Sequence, residues 1–247
     1  HESGGHRSRR GQTRIVQDAD WLAAHLRALV AVVGRDLAAL ETVAAEIRWG
    51  GGDALAVRAD CTVEEEVSAM AAEVADRLGP IEILAAFAGG DGDPIATARE
   101  TGAHWRAVVE TNLTATFLTV AALLPGMVEH RRGTIITMSS AAARQAAQSG
   151  AAYAAAKAGV VALTRHLAAE VAPDGVRVNC LAPSMIVSER VRERTTPEQL
   201  DQIASWFPLR RLGRPDDVAA ATLFLASDAS SWITGVTLDV AGGKVMV

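Results

Sequence analysis

The chain has 247 residues, 49% of them hydrophobic and 21% charged, with a formal net charge of −5. That length can bury a full core within one α/β domain, and the acid excess argues against a nucleic-acid partner. No uninterrupted run of about 18 apolar residues suggests a membrane span, no apolar stretch follows the first arginines to make a secretory signal, and Cys61 and Cys180 lack metal-ligand spacing, so no metal site and a reduced, cytoplasmic protein are expected.

Residues 1–28 form an atypical opening segment. None of the chain's 49 alanines precedes Ala19, and four of its 22 arginines fall within the first 14 residues. "TRIV" (13–16) offers at most a short strand, with Asp18 or Asp20 placed to cap a stub of helix over "WLAAHL". "LVAVV" (29–33) is a β-branched run suited to a strand buried on both faces. Asp36 then caps "DLAALETVAAEIR", whose apolar residues recur at helical spacing until glycines 50–52 stop it.

"DALAVRAD" reads as the next strand, "VEEEVSAMAAEVADRLG" as a helix, and "IEILAAFAGG" as a strand ending in glycines. A long helix is expected from about residue 104 to 129, then strand "GTIITMSS", a helix over 153–171 and strand "GVRVNCLAP". After a polar stretch (188–210) come helix "PDDVAAATLFLAS" and strand "GVTLDVAGG". Strands alternating with helices call for a parallel sheet with right-handed crossovers and helices on both faces. The expectation is one Rossmann-like, doubly wound α/β domain over 1–247, its first strand short or missing. Ligands should lie at the carboxyl ends of the strands.

Tyr153 is the only tyrosine and lies in "YAAAK", which places Lys157 one helical turn further on the same face. A phenol with a pKa of about 10 is a poor proton donor and acceptor at neutral pH. A neighbouring ammonium favours the phenolate and brings it nearer the useful range. Ser140 ends a strand 13 residues before Tyr153, where its hydroxyl can meet the same carbonyl oxygen. Asn112 sits inside a predicted helix, where asparagine is a poor helix former. Asn179 and Pro183 of "VNCLAPS" add an amide and a flat ring near a strand end.

The spacing of Asn112, Ser140, Tyr153 and Lys157, with "VNCLAPSMIVS" and "PLRRLGRPDDVAAATLFLASDASSWITGVTLDVAGG", resembles the short-chain dehydrogenase/reductase family from about residue 29 to 243. That resemblance implies hydride transfer between a nicotinamide cofactor and a small carbonyl or alcohol substrate, of the 3-oxoacyl or a similar ketone type. Tyr153 would be the acid–base group, and Lys157 would lower its pKa and hold the nicotinamide ribose. Ser140 would position the substrate oxygen, and Asn112 would hold a water of the proton relay. Pro183, Ile186 and Ser188 would line the nicotinamide, Ala88 and Gly89 would approach the adenosine ribose, and Asp60, with Cys61 beside it, would meet the adenine. Residues 188–210, with Trp206 and Phe207, and the loop 91–104 would cover the substrate, core packing being the alternative for the two aromatics. Met138, Gln148 and Met185 are further candidates to line it. Helices 104–129 and 153–171 would pair between subunits of a homodimer or homotetramer.

The chain also departs from the family. Ala86 and Phe87 stand where two asparagines are usual, so polar pinning of that strand end is expected to be lost. Gly34-Arg35 follows the strand "VAVV" with no acidic residue, which suits the 2′-phosphate and favours NADP(H) over NAD(H). The family's Thr-Gly-x-x-x-Gly-x-Gly turn, which would cradle a pyrophosphate, does not appear in residues 1–28. An arginine-rich, alanine-free start on an alanine-rich body matches an out-of-frame reading of GC-rich coding DNA up to about residue 20; a diverged loop is the alternative. Without that turn the chain as written is expected to bind either dinucleotide weakly, whereas micromolar binding would mark a diverged but working loop. Two rival functions share the fold: a non-catalytic relative, and a cofactor-free lyase resembling the halohydrin dehalogenases. The latter carry arginine where this chain has Lys157.

Overall fold

The computed structural model describes residues 29–90, 94–146, 149–187, 191, 193 and 195–246. "TRIV" and the rest of the opening segment, on which the expectation about the glycine turn falls, therefore lie outside the described residues. Strand β1 (Leu29–Gly34) pairs in parallel with β2 (Asp53–Arg58), Leu29 opposite Asp53. Between them runs α1 (Leu37–Trp49), which begins where the sequence places its cap: the Asp36 carboxylate accepts the Ala39 N–H at 3.3 Å. Leu40, Val43, Ala44 and Ile47 of α1 bury against Val32 and Ala54.

Helix α2 (Glu64–Leu78) follows, with three glutamates in its first turn, where they complement the positive end of the helix dipole. Four further strands form a parallel ladder in the order β3 (Ile83–Ala86), β4 (Gly133–Met138), β5 (Val176–Pro183) and β6 (Thr237–Val240). Strand order thus steps outward from β1 to β2 on one side and from β3 to β6 on the other. The direction reverses between β1 and β3, which no ladder joins among the described residues. Such a reversal is where open α/β sheets bind ligands, at the carboxyl ends of the strands.

Helix α3 (Gly102–Val109), a π-helical turn (Glu110–Thr114) and α4 (Ala115–Glu129) run on as one rod. By length and composition this 28-residue rod could cross a membrane. Its packing marks it instead as a core helix: Val120, Leu123 and Met127 lie against Leu84 and Ile135, while Leu118 and Ala122 reach the cluster of Leu55, Val57 and Met70. It thereby ties the two pieces of sheet together. Helix α5 (Ala151–Val171) shares the face of α2 and α4, and α7 (Pro215–Ala226) covers the opposite face through Val218 and Leu225. Helices on both faces of a parallel sheet make the fold doubly wound, as expected.

The polar stretch 188–210 holds a helix that the periodicity did not suggest, α6 (Pro197–Ala204). Its start is written in the sequence all the same: Thr196 accepts from Gln199 N–H, Gln199 accepts from Thr196 N–H, and proline opens the first turn.

Candidate active site

The site begins where the rod widens. Asn112 is fully buried in the π turn, a distortion that frees helical carbonyls for other partners. Its amide nitrogen donates to the Val108 carbonyl at 2.9 Å and to the Gly90 carbonyl at 3.0 Å, and its amide oxygen accepts the Gly90 N–H at 3.0 Å. A single side chain thus pins the loop after β3. The polar anchoring expected to vanish with Ala86 and Phe87 is supplied from α3–α4 instead, and Phe87 packs into the apolar cluster of Ile136 and Leu181. Gly89, at φ 141°, admits no side chain, because a Cβ there would lie 2.5 Å from Asn112 Oδ1 and 3.3 Å from Lys157 Nζ. Gly159 lets α5 cross close to Leu113, beside Asn112.

Lys157 is 3% exposed. Its ammonium donates to the Met138 carbonyl at the end of β4 (2.9 Å), and its own carbonyl accepts from the Ser139 hydroxyl (2.8 Å). The strand end and α5 are therefore stitched together on both sides of this lysine. Ser139 went unnoticed in the sequence; the serine pair at the strand end was its signal. The Lys157 ammonium lies 5.7 Å from the centroid of the Tyr153 ring. Burial, partly opposed by the neighbouring Cys180 sulfur, lowers the Lys157 pKa from 10.5 to about 8. Burial also raises the Cys180 thiol above its ordinary range, so it stays neutral around pH 7.

Ser140 is extended and caps a 3₁₀ turn (Ala141–Ala143), its Oγ accepting from Ala142 N–H at 3.2 Å. Because the oxygen accepts from the backbone, the hydroxyl hydrogen remains to be donated.

The residues that the family resemblance places at the adenosine sit on a row of strand tips. Arg35 follows β1, half exposed, with its guanidinium 3.8 Å from the Asp60 carboxylate beyond β2. Burial raises the Asp60 pKa, but hydrogen bonds from Thr62 and the charges of Arg35 and Arg58 outweigh it and hold the group below its usual value. The Cys61 side chain turns inward to pack with Val33, Val67 and Met70, leaving its backbone as the part that could meet a ligand. Ala88 is exposed beside Gly89. At the other end, Pro183 ends β5, and Ile186 bridges to Gly213 while packing on Met138 and Leu181. Ser188 and Gln148 lie outside the described residues. These tips fit the two ends of a dinucleotide: a cation and carboxylate for the adenosine, a buried ammonium and an apolar wall for the nicotinamide. The pyrophosphate contacts would fall to residues 1–28.

A family profile described as enoyl-(acyl carrier protein) reductase matches residues 20–244. The chain belongs to the short-chain dehydrogenase/reductase family, whose members are nicotinamide-dependent oxidoreductases. It is 38% identical over 227 residues to the inactive 2-(S)-hydroxypropyl-CoM dehydrogenase 2 of Xanthobacter autotrophicus, covering 89% of this chain and 96% of that protein. It is 36% identical over 206 residues to the 3-oxoacyl-[acyl-carrier-protein] reductase of Staphylococcus aureus, covering 83% of each. Among solved structures, the 3-oxoacyl-[acyl-carrier protein] reductase of Brucella melitensis with bound NAD superposes with a TM-score of 0.84 at 33% identity, covering 95% of this chain and 87% of that one. The profile match begins at residue 20, so most of the atypical opening segment lies outside it.

Three candidate side chains do not face the site. Phe207 is 2% exposed, locked against Gly242, so it is core rather than a free lid residue; Trp206 is the exposed one. Met138 is buried in the cluster of Ile136 and Leu181 and offers the site its carbonyl, not its side chain. Asn179 lies within β5, fully buried, and pins the loop before β6 through Ile233 O (2.9 Å) and Val236 N–H (3.2 Å). It is structural. Among the described residues no cluster of His, Cys, Asp and Glu could hold a metal.

Proposed function

We propose that this family member interconverts a small ketone and its alcohol, of the 3-oxoacyl or a similar class, with Tyr153 as the proton donor and acceptor. The observation that carries this is a lysine ammonium, almost wholly buried, held beside the ring of the chain's only tyrosine. A bound nicotinamide dinucleotide supplies or accepts the hydride. Tyr153 gives its phenolic proton to the substrate oxygen as negative charge develops there, and retrieves it in the reverse direction. The Lys157 ammonium stabilises the phenolate so formed. Ser140 donates its hydroxyl hydrogen to the same oxygen, and Asn112 sets the Gly89–Gly90 wall beside Lys157. A relay water on Asn112 would use the second lone pair of its amide oxygen. Lys157 itself separates this reading from a lyase of the halohydrin dehalogenase kind.

NADP(H) is the preferred partner, because the tip of β1 carries Arg35 and no carboxylate. The Arg35 side chain is half exposed, so a 2′-phosphate can reach the guanidinium. Arg35→Ala should erase the preference, a loss of roughly 1.5–3 kcal/mol or about 10- to 150-fold in affinity for NADP(H). Dissociation constants for both dinucleotides decide it; tighter NAD binding by the unmodified chain contradicts it.

Absolute affinity should be weak, because the sequence of residues 1–28 lacks the Thr-Gly-x-x-x-Gly-x-Gly motif. Grafting an apolar strand and Thr-Gly-x-x-x-Gly-x-Gly before Leu22 should tighten binding at least about tenfold, the worth of one or two charge-assisted hydrogen bonds. Unchanged affinity after the graft would mean that the existing segment already serves. Reading the coding DNA in all three frames tests the out-of-frame origin: a glycine-turn motif in another frame establishes it.

A cytoplasmic homodimer or homotetramer completes the reading. Its support is the absence of a spaced cysteine pattern in the sequence and the exposed Trp105 and Phe117 on the α3–α4 rod.

A further inference from the structure

Of the four residues proposed for the reaction, Asn112, Tyr153 and Lys157 lie inside long helical rods and Ser140 alone stands at a short turn. Its hydroxyl oxygen is held by Ala142 N–H, and the turn closes through Ala143 N–H to Ser140 O and Arg144 N–H to Ala141 O, each 3.0 Å. A turn of three residues held by such bonds has little rigidity of its own. What braces it comes from the far end of the chain.

Arg144 closes the turn and forms a bidentate pair with Asp239 of β6: Nε to Oδ1 and Nη2 to Oδ2, both 3.1 Å. The two side chains are 17% and 16% exposed, unlike the other arginine–carboxylate pairs of the described residues, which all have at least one partner more exposed than either. The fork geometry fixes direction as well as distance. Asp239 is itself rigid, being in register with Ala182 of β5, one residue before Pro183. A second brace is apolar: Ala141, next to Ser140, packs in a buried cluster with Ala241 and Val245 from the C-terminal segment.

We propose that Arg144 and Asp239 are positioning residues for the reaction, fixing the Ser140 hydroxyl by clamping its turn to β6. The proposal rests on the role given to Ser140 above. Neither residue need touch the substrate. The pair ties the substrate-orienting turn to the same two strands, β5 and β6, that carry the nicotinamide wall at Pro183, so hydroxyl and wall keep a common frame.

The test uses the full chain with saturating NADPH and ethyl acetoacetate as the probe ketone. It compares the parent, Ser140→Ala, Arg144→Met and the double variant, and records amide exchange over 141–145. Arg144→Met should lower kcat about tenfold or more while the NADPH Kd stays within about twofold. Adding Ser140→Ala to it should cost at most about another twofold, because the hydroxyl is already misplaced. Exchange at the Ala142 amide should rise at least about tenfold. Arg144→Met leaves Asp239 unpaired, so Arg144→Met with Asp239→Leu is made as well; it removes that charge and should show the same kcat loss. Arg144→Lys, which keeps charge but not the fork, should recover only part of it.

Parental kcat in the Arg144 variants, or losses that multiply with that of Ser140→Ala, would overturn the proposal. Should Ser140→Ala itself leave turnover unchanged, the role of Ser140 fails. The exchange data then decide separately whether the clamp holds the turn.

Discussion

Tyr153→Phe should lower turnover of a ketone probe by at least about 10²-fold, with dinucleotide affinity little changed. The substitution deletes one oxygen and keeps the ring that lies beside Lys157, so packing is preserved. Because the chain has no other tyrosine, no second phenol can take over the proton transfer. Steady-state kinetics on the purified variant check this, and turnover within a few-fold of the parent would remove Tyr153 from the reaction. Should KM rise steeply with kcat unchanged, the hydroxyl serves substrate binding rather than proton transfer.

Lys157 gives the second large effect, on stability as well as rate. A lysine whose folded pKa is about 8 against an ordinary 10.5 carries its charge at a penalty while folded. Below pH 8 both folded and unfolded chains are protonated there and the penalty is complete. Between pH 8 and 10.5 the unfolded chain binds the extra proton, so stability rises with pH, and above 10.5 the penalty is gone. The parent should therefore gain about 3 kcal/mol relative to Lys157→Met across that window. Denaturant unfolding at pH 7.5 and 10.5, with both proteins in a Tyr153→Phe background so that no phenol titrates, reads the difference. A gap independent of pH would show that Lys157 is not strained by burial. With Tyr153 present, Lys157→Met should also move the rate profile to higher pH and weaken dinucleotide binding, since the ammonium no longer favours the phenolate.

The sequence made much of this visible because the fold's signals are local. Asp36 before an amphipathic run announced α1, and the cap is present. Tyr153 and Lys157 are one helical turn apart, so their neighbourhood follows from helix geometry. Asn112 stood out as a poor helix former, yet the π turn around it comes from tertiary contacts with Gly90 and with α5 at Gly159. Strand β3 stops at Ala86, short of the apolar run, because Phe87 N–H turns back to Ala85 O and Gly89 takes a positive φ. Helix α6 was hidden by its polar composition, although its capping box was there to find. The Arg144–Asp239 clamp joins residues 95 apart, and no spacing rule brings such a pair together.

The central claim is hydride transfer with Tyr153 completing the proton count, and isotope transfer tests it most directly. NADPH carrying deuterium at both C4 positions of the nicotinamide, supplied at millimolar concentration to offset weak binding, is incubated with ethyl acetoacetate and the full chain. The product alcohol is then analysed by mass spectrometry. The account predicts one deuterium on the carbinol carbon, formed by the parent and at least about 10²-fold more slowly by Tyr153→Phe. No alcohol from this probe or any of a panel of ketones at millimolar NADPH or NADH, or product formed without either dinucleotide, would contradict it.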